Sequence, residues 1–398
     1  MKLNIKLVVI FIIALVSSSI VLEMPSPSFI SIGKFFNANE KLIGYIISYS
    51  LIGSFFGSFI YGPLADFYGR KKILLFGNLI ALIGSIGCVF AKSIEMLIFF
   101  RFVQGSGSSC SLVLIPIIVS DLCSTDEASK FYRINAAFIT IFTAIAPIAG
   151  GFINDNLGWN YNFQIIMYFA VLALLCSSFI FETKKEDDVK KISLNNIASE
   201  YKFLLKDSLF LIAASVTNLL YANFLAFLTY SPFLYMKIYG LSASKYSIHQ
   251  AIVVIAFSIA NFALSRVSKS MNLKLIKIGL CFCLFGSFGI YFFNYANFIT
   301  FFVCFTAFGA AMIFPTVFAY AIGNVAENLK GAASSFIVAS RYLLCGVIIY
   351  FTSNIYNGTN SRLSLLMFSI YFLIAIMTLH LFKNEYFKEK SHEKITQR

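Results

Sequence analysis

Gly62-Pro63-Leu64-Ala65-Asp66-Phe67-Tyr68-Gly69-Arg70-Lys71-Lys72 is a short, polar, basic stretch with a long apolar run on either side. Three consecutive cations in a tight turn between two runs of membrane length predict a hairpin facing the cytoplasm, because loops on that side of a bilayer retain Lys and Arg. The rest of the chain repeats the theme. Hydrophobic residues make up 59% of the 398, charged residues 12%, and the mean hydropathy is +0.82. Soluble domains carry about 25% charged residues. A chain this apolar has too little polar surface for a water-soluble globule, so lipid must solvate most of it.

A spanning helix needs about 20 apolar residues. Twelve apolar runs are predicted at 6–28, 42–61, 73–91, 96–120, 133–153, 162–181, 208–231, 246–266, 274–293, 297–320, 332–354 and 363–382. The first run, preceded by Lys2 and Lys6, imitates a signal peptide, and we read it as a retained first helix because no small-residue cleavage site precedes a soluble region. The charged segment Lys184-Lys185-Glu186-Asp187-Asp188 with Lys190-Lys191 follows the sixth run. This predicts an all-α integral membrane protein of two six-helix halves: residues 1–181, a cytoplasmic linker 182–206, residues 207–383, and a cytoplasmic tail 384–398. Such repeats suit a secondary transporter whose site lies between the halves near mid-membrane.

Charge placement sets the expected orientation. With the N-terminus inside, the linker, the tails and alternate turns collect most of the cations, and the other side has only Lys34, Lys41, Lys92, Lys237, Lys245 and Arg362. Both termini are therefore expected in the cytoplasm. The net charge of +13 lies in turns rather than along one face, which argues against nucleic acid as a partner. The eight cysteines fall mostly inside apolar runs and read as small apolar filler. His249, His380 and His392 form no metal-spaced pair, and no phosphate-binding Gly-Lys loop occurs, so neither a metal, a cofactor nor an enzyme is expected.

Five further stretches carry polar or conformational chemistry in or beside apolar runs. Arg101-Phe102-Val103-Gln104-Gly105-Ser106-Gly107-Ser108-Ser109 combines an intramembrane cation with a small-residue face suited to close helix packing. Arg101 either faces the interior or snorkels to the interface. Ala146-Pro147-Ile148-Ala149-Gly150-Gly151 joins a helix-bending proline to a glycine pair. Glu23-Met24-Pro25-Ser26-Pro27 places an acid near the outer end of the first run. Buried there, Glu23 could exchange a proton near neutral pH; at the interface it would simply be hydrated. Ser231-Pro232-Phe233-Leu234-Tyr235 ends the seventh run, and Gly331-Ala332-Ala333-Ser334-Ser335 opens the eleventh.

The Gly62–Lys72 stretch resembles the signature loop between helices 2 and 3 of the major facilitator superfamily. Together with Glu23 and Pro27, the Arg101–Gly105 and Pro147–Gly151 motifs and Ser231-Pro232, the chain resembles that superfamily's bicyclomycin-resistance type of drug:proton antiporter. The resemblance implies twelve transmembrane helices that expose a central cavity alternately to each side. It implies gating roles for Gly62, Asp66, Gly69, Arg70, Pro147, Gly150 and Gly151, with Asp66 at the contact between halves near Gly331. Phe67 stands where the family usually has a basic residue, and Arg341 where it more often has Gln or an apolar residue. Glu23 and Arg101, at similar depth on oppositely directed helices, are the expected proton-coupling pair. Tyr49, Gln104, Asn218, Tyr221 and Arg341 are candidate cavity groups, because polar side chains in spanning helices face inward. The implied activity is proton-coupled export of small amphipathic molecules, a drug or a metabolite; the alternative is an importer or facilitator of a small nutrient with the same fold. The expected partners are a small-molecule substrate, protons and membrane lipid, for a monomer in a bacterial inner membrane.

Overall fold

The computed structural model describes residues 5–123, 125–183, 194–264, 272–326, 329–356 and 358–396. Lys2, the linker charges Lys184 to Lys191, Arg266, Lys269 and Arg398 lie outside those residues. All regular structure within them is helical. The first run divides at its prolines into α1 (Ile5–Glu23), a 3-10 turn at Ser26–Ser28 and α2 (Phe29–Phe35). With α3 (Glu40–Tyr68), α4 (Arg70–Val89), α5 (Ile94–Leu122), α6 (Thr125–Asn156) and α7 (Trp159–Ser178) it forms the first half. The short α8 (Leu194–Leu204) precedes the second half, built from α9 (Ser208–Pro232), α10 (Ala243–Leu264), α11 (Asn272–Phe292), α12 (Ala296–Gly323), α13 (Lys330–Ile355) and α14 (Asn360–Thr396). Among the described residues eleven segments are long and apolar enough to cross a membrane, and α6, whose 32 residues carry the fifth apolar run, supplies the twelfth. The protein is a multi-pass membrane protein, and large apolar side chains such as Phe56, Phe99, Phe152 and Phe262 cover its outer surface.

Local chemistry places the helix ends. Asn39 caps α3 by accepting from Leu42 N at 3.0 Å, Ser93 caps α5 through Met96 N at 3.2 Å, and Asp207 caps α9 through Leu209 N and Phe210 N, both at 3.0 Å. The turn expected over 62–72 is far shorter than its polarity suggests. Residues 62–68 complete α3, and Arg70-Lys71-Lys72 already belong to α4. Gly69 alone makes the turn, with φ 101, a conformation closed to residues with a Cβ. Gly62 is helical and carries no turn. Pro63, Pro116, Pro147, Pro232 and Pro315 all sit within helices, as packed membrane helices tolerate. After Pro232 the chain loosens into a π-helical turn, Phe233–Ile238.

The small face of α5 works as its composition predicts. Gly105 lies against the backbone of Ser50 on α3, and Gly107 against Ala81 on α4, so three helices approach backbone to backbone. Ser54 Oγ donates to Gly105 O at 3.1 Å across the first of these crossings. The two halves meet along two seams, α3 against α13 and α6 against α10. Lys71, Lys72, Lys202, Lys206, Lys274 and Lys277 mark one end of the bundle as the basic end. Glu40, Asp155 and Lys237 mark the opposite end.

Candidate functional site

The described polar contacts between the halves all lie toward the opposite end. Asp155, in the last turn of α6, accepts from Ala243 N at 3.1 Å, Ser244 N at 2.8 Å and Ser244 Oγ at 2.6 Å, capping α10 from across the seam. Lys237 Nζ donates to Glu40 Oε1 at 2.8 Å. Ser48 Oγ donates to Gly346 O at 2.7 Å, and the Tyr45 and Tyr350 rings stack 4.9 Å apart along the α3–α13 seam. Gly150 and Gly151 serve different contacts: Gly150 lies on the Met24 carbonyl within the first half, whereas Gly151 lies on Ser247 and the Ala243 carbonyl of the second. Pro147, one turn earlier, is buried.

Beneath this seal lies Glu23, the last residue of α1, only 8% exposed. Pro25 and Pro27 end the helix immediately after it, which turns the carboxyl toward the second half. Gln250 Nε2 of α10 donates to Glu23 Oε2 at 3.3 Å, and Gln250 Oε1 accepts from Ser26 Oγ at 3.0 Å. Tyr246, a turn earlier on α10, shares a 2.7 Å hydrogen bond with Ser231. Asn162 braces the same corner, donating to Ser28 Oγ at 2.6 Å and Gly150 O at 2.9 Å. Glu23 is thus a carboxyl held inside the protein, not a hydrated interfacial one.

Arg101 is fully buried rather than snorkelling. Its Nη1 donates to Val21 O at 2.9 Å and Gln104 Oε1 at 2.6 Å, its Nε to Ile46 O at 3.4 Å, and Phe163 lies 6.0 Å beneath the guanidinium. Gln104 passes the chain on to Ser85 Oγ at 2.9 Å. Arg101 therefore braces α1, α3 and α5. In this conformation Glu23 is engaged by Gln250, and Arg101 Nη2 is left buried without a partner among the described residues.

Three of the predicted cavity groups gather in the second half. Asn218 donates to Ser340 Oγ at 2.9 Å and accepts from Arg341 Nε at 3.3 Å. The Arg341 guanidinium lies 5.5 Å from the Tyr221 ring and 5.1 Å from the Phe314 ring. The cluster thus joins α9, α12 and α13 around one guanidinium. Gln104 belongs to the Arg101 brace, and Tyr49 stands apart, 37% exposed beside Tyr45.

At the basic end Asp66 is ion-paired with Arg70, and Arg70 Nε also reaches Asp121 at the end of α5 at 3.3 Å. Glu182 accepts from Arg70 N at 2.9 Å and Lys71 N at 3.2 Å, satisfying the first amides of α4. In this conformation Asp66 is thus engaged within its own hairpin by Arg70. Sequence reasoning missed Gln250, Asp155, Asp121 and Glu182. Two of these carried a signal: a carboxylate in the last turn of a helix opposes the helix dipole, so Asp121 and Asp155 announce a partner elsewhere.

Residues 10–350 match the Major Facilitator Superfamily. An uncharacterized MFS-type transporter, YdgK of Bacillus subtilis, is 29% identical over 263 residues, 65% of this chain and 65% of that one. A bicyclomycin resistance protein homolog of Haemophilus influenzae is 27% identical over 260 residues, again 65% of each chain, so the matched part spans just under two thirds of both relatives. The multidrug resistance protein MdtM of Salmonella typhimurium is 24% identical over 326 residues, 79% of this chain and 77% of that protein. Among solved structures, a D-xylose-proton symporter superposes with a TM-score of 0.76 at 14% identity, covering 94% of this chain and 96% of that one. The nucleoside transporter NupG gives 0.75 at 15% identity, covering 95% and 100%.

Proposed function

The chain belongs to the major facilitator superfamily, a family of transporters, and on that premise we propose that it exports small amphipathic molecules in exchange for protons by alternating access. The observation that carries the reading is Glu23, a carboxyl buried at the seam and hydrogen-bonded to Gln250 of the other half. Charge on Glu23 strengthens that hydrogen bond, and protonation weakens it. The proton state of one residue is thereby tied to whether the halves hold together at the opposite end. The orphaned Nη2 of Arg101 supports a second arrangement, since a buried unpaired donor is costly. When the halves re-pack, Arg101 meets deprotonated Glu23 and the two act as the coupling pair.

On this reading Gly62, Asp66, Gly69 and Arg70 gate the basic end, and Pro147, Gly150 and Gly151 shape the seam at the other. Of the five cavity candidates, Asn218, Tyr221 and Arg341 form the cavity cluster, while Gln104 is committed to the Arg101 brace and Tyr49 lies apart from it. The halves are residues 1–181 and 207–383, joined by the linker 182–206. The basic end and both termini face the cytoplasm of a bacterium, and the protein works as a monomer in the inner membrane. The names of the bicyclomycin-resistance and multidrug-resistance relatives favour export. An importer of a small nutrient is the competing reading, since the similar folds include a symporter for D-xylose. Purified protein in liposomes, given a substrate panel under an imposed pH gradient, separates the two. Export predicts substrate movement against the proton flux, and substrate moving with the protons refutes it.

A further inference from the structure

We infer that the exported molecule carries a carboxylate on an apolar, ring-sized body, and that Arg341 is the residue that takes the carboxylate. The inference rests on the transporter reading and names its substrate class. Glu23, Arg101 and Arg341 are the charged side chains deep within the spans whose surroundings are described. Glu23 is bonded to Gln250 at the sealed end, and Arg101 is fully buried among carbonyl acceptors of its own half. Arg341, near the middle of α13, is only half-buried, and among the described residues no carboxylate lies within ion-pair distance of it.

An unpaired cation at membrane depth is retained only where something compensates it. The surroundings of Arg341 prepare it without neutralising it. Ser340 Oγ accepts from the Asn218 amide, which turns the Asn218 carbonyl toward Arg341 Nε. Tyr221 and Phe314 flank the guanidinium as rings on which it can stack. Nε is thus occupied and the plane is constrained, while Nη1 and Nη2 have no hydrogen-bond partner among the described residues. Two free parallel N–H donors in a fixed plane match the two oxygens of a carboxylate. The adjoining Tyr221 and Phe314 rings offer the apolar wall for the rest of such a molecule. A cationic solute would meet an uncompensated guanidinium here and be repelled.

The test uses the purified full chain in detergent with three probes of nearly the same shape, phenylacetate, phenylacetamide and phenethylamine, measured by equilibrium binding. Phenylacetate is expected to bind about tenfold or more tighter than the amide, the usual advantage of a charged hydrogen bond over a neutral one, and phenethylamine more weakly still. Arg341→Gln should erase the preference for the acid while keeping binding of the amide. Arg341→Lys, which keeps the charge but not the fork, should restore only part of it, and it also serves if the Gln variant fails to fold. Absent binding of all three probes, equal binding of acid and amide, tighter binding of the amine, or an acid preference that survives in both variants overturns the inference. Export of phenethylamine under a pH gradient without acid preference leaves proton-coupled export standing and removes the anion site. Arg341-dependent binding of phenylacetate without pH-driven flux does the reverse.

Discussion

Gln250 of α10 donates to Glu23 at the end of α1 at 3.3 Å, so an acid of the first half is held by an amide of the second. Both side chains are buried, and Ser26 Oγ fixes the amide from its other face at 3.0 Å. A bond across the seam exists only while that end is closed. Whatever changes the charge on Glu23 therefore changes the balance between the two conformations.

Glu23→Gln removes the titratable proton and keeps the shape. The variant is expected to bind a neutral substrate with little change and to lose pH-driven export in liposomes. Gln250→Ala leaves Glu23 buried without its donor, at a cost of about 1–3 kcal/mol, and is expected to weaken closure of the opposite end. Normal gradient-driven export by Glu23→Gln would falsify the coupling role.

Asp155 is the strongest of the contacts that close the opposite end, because one carboxylate satisfies two free amides and a hydroxyl of α10. When the halves part, those amides lose their acceptor, and α10 keeps only Ser242 Oγ, which accepts from Lys245 N at 3.3 Å. Asp155→Ala should cost closure about 0.5–2 kcal/mol, a shift of roughly twofold to thirtyfold toward the state open at that end. Spin labels at the exposed Lys92 and Lys245, one in each half, would report it as a larger share of long distances. An unchanged distance distribution would show that the cap does not hold the seam. The exposed Glu40–Lys237 pair is expected to matter less, at about 0–1 kcal/mol.

At the basic end Arg70 is shared between Asp66 and Asp121. Asp66→Asn frees the guanidinium to settle on Asp121 alone. Because the residue lies at the gate and not beside the Arg341 cluster, substrate affinity should stay near wild type while the rate of exchange falls. Much weaker binding with an unimpaired cycling rate would place Asp66 in the wrong part of the protein.

What could be read from the sequence, and what could not, follows from the range of the interactions. Apolar runs and Gly69 are legible because hydropathy and a positive φ are local properties. The end of α3 at Tyr68 was not, since polarity marks where the membrane stops and not where the helix stops. The depth of Glu23 and Arg101 along their helices follows from counting residues. Their rotation about the helix axes does not, and it gives Glu23 to Gln250 and Arg101 to the carbonyls of Val21 and Ile46. Gln250 lies 227 residues from Glu23 in the chain, and only the packing of α10 against α6 and the 3-10 turn brings it there.

Orientation is tested independently of any substrate. The basic end is expected in the cytoplasm because cations gather there. In a cysteine-free background, a single cysteine in the 182–206 segment should react with an impermeant thiol reagent only from the cytoplasmic side. Reaction from outside would invert the direction assigned to transport.

Gly150 and Gly151 are adjacent, yet their side-chain directions lead to different halves, so the same substitution should have two different consequences. A methyl at Gly150 meets the Met24 carbonyl, a contact inside the first half that persists through any rocking of the halves. Gly150→Ala is therefore expected to lower the thermal stability of the purified protein and to affect both conformations alike. A methyl at Gly151 meets Ser247 and the Ala243 carbonyl of α10. Ser247 can rotate away, but a helical carbonyl cannot, so α6 and α10 must separate. Overpacking of this kind costs about 1–3 kcal/mol, and here it falls only on the closed state. Gly151→Ala should thus move the Lys92–Lys245 distance toward its open value by roughly fivefold or more in population, with stability little changed. Ser247→Ala in the same chain should recover part of the closed state by making room. If both glycine variants lost stability equally and neither shifted the distance, the α6–α10 seam would be a fixed contact and not one that opens during transport.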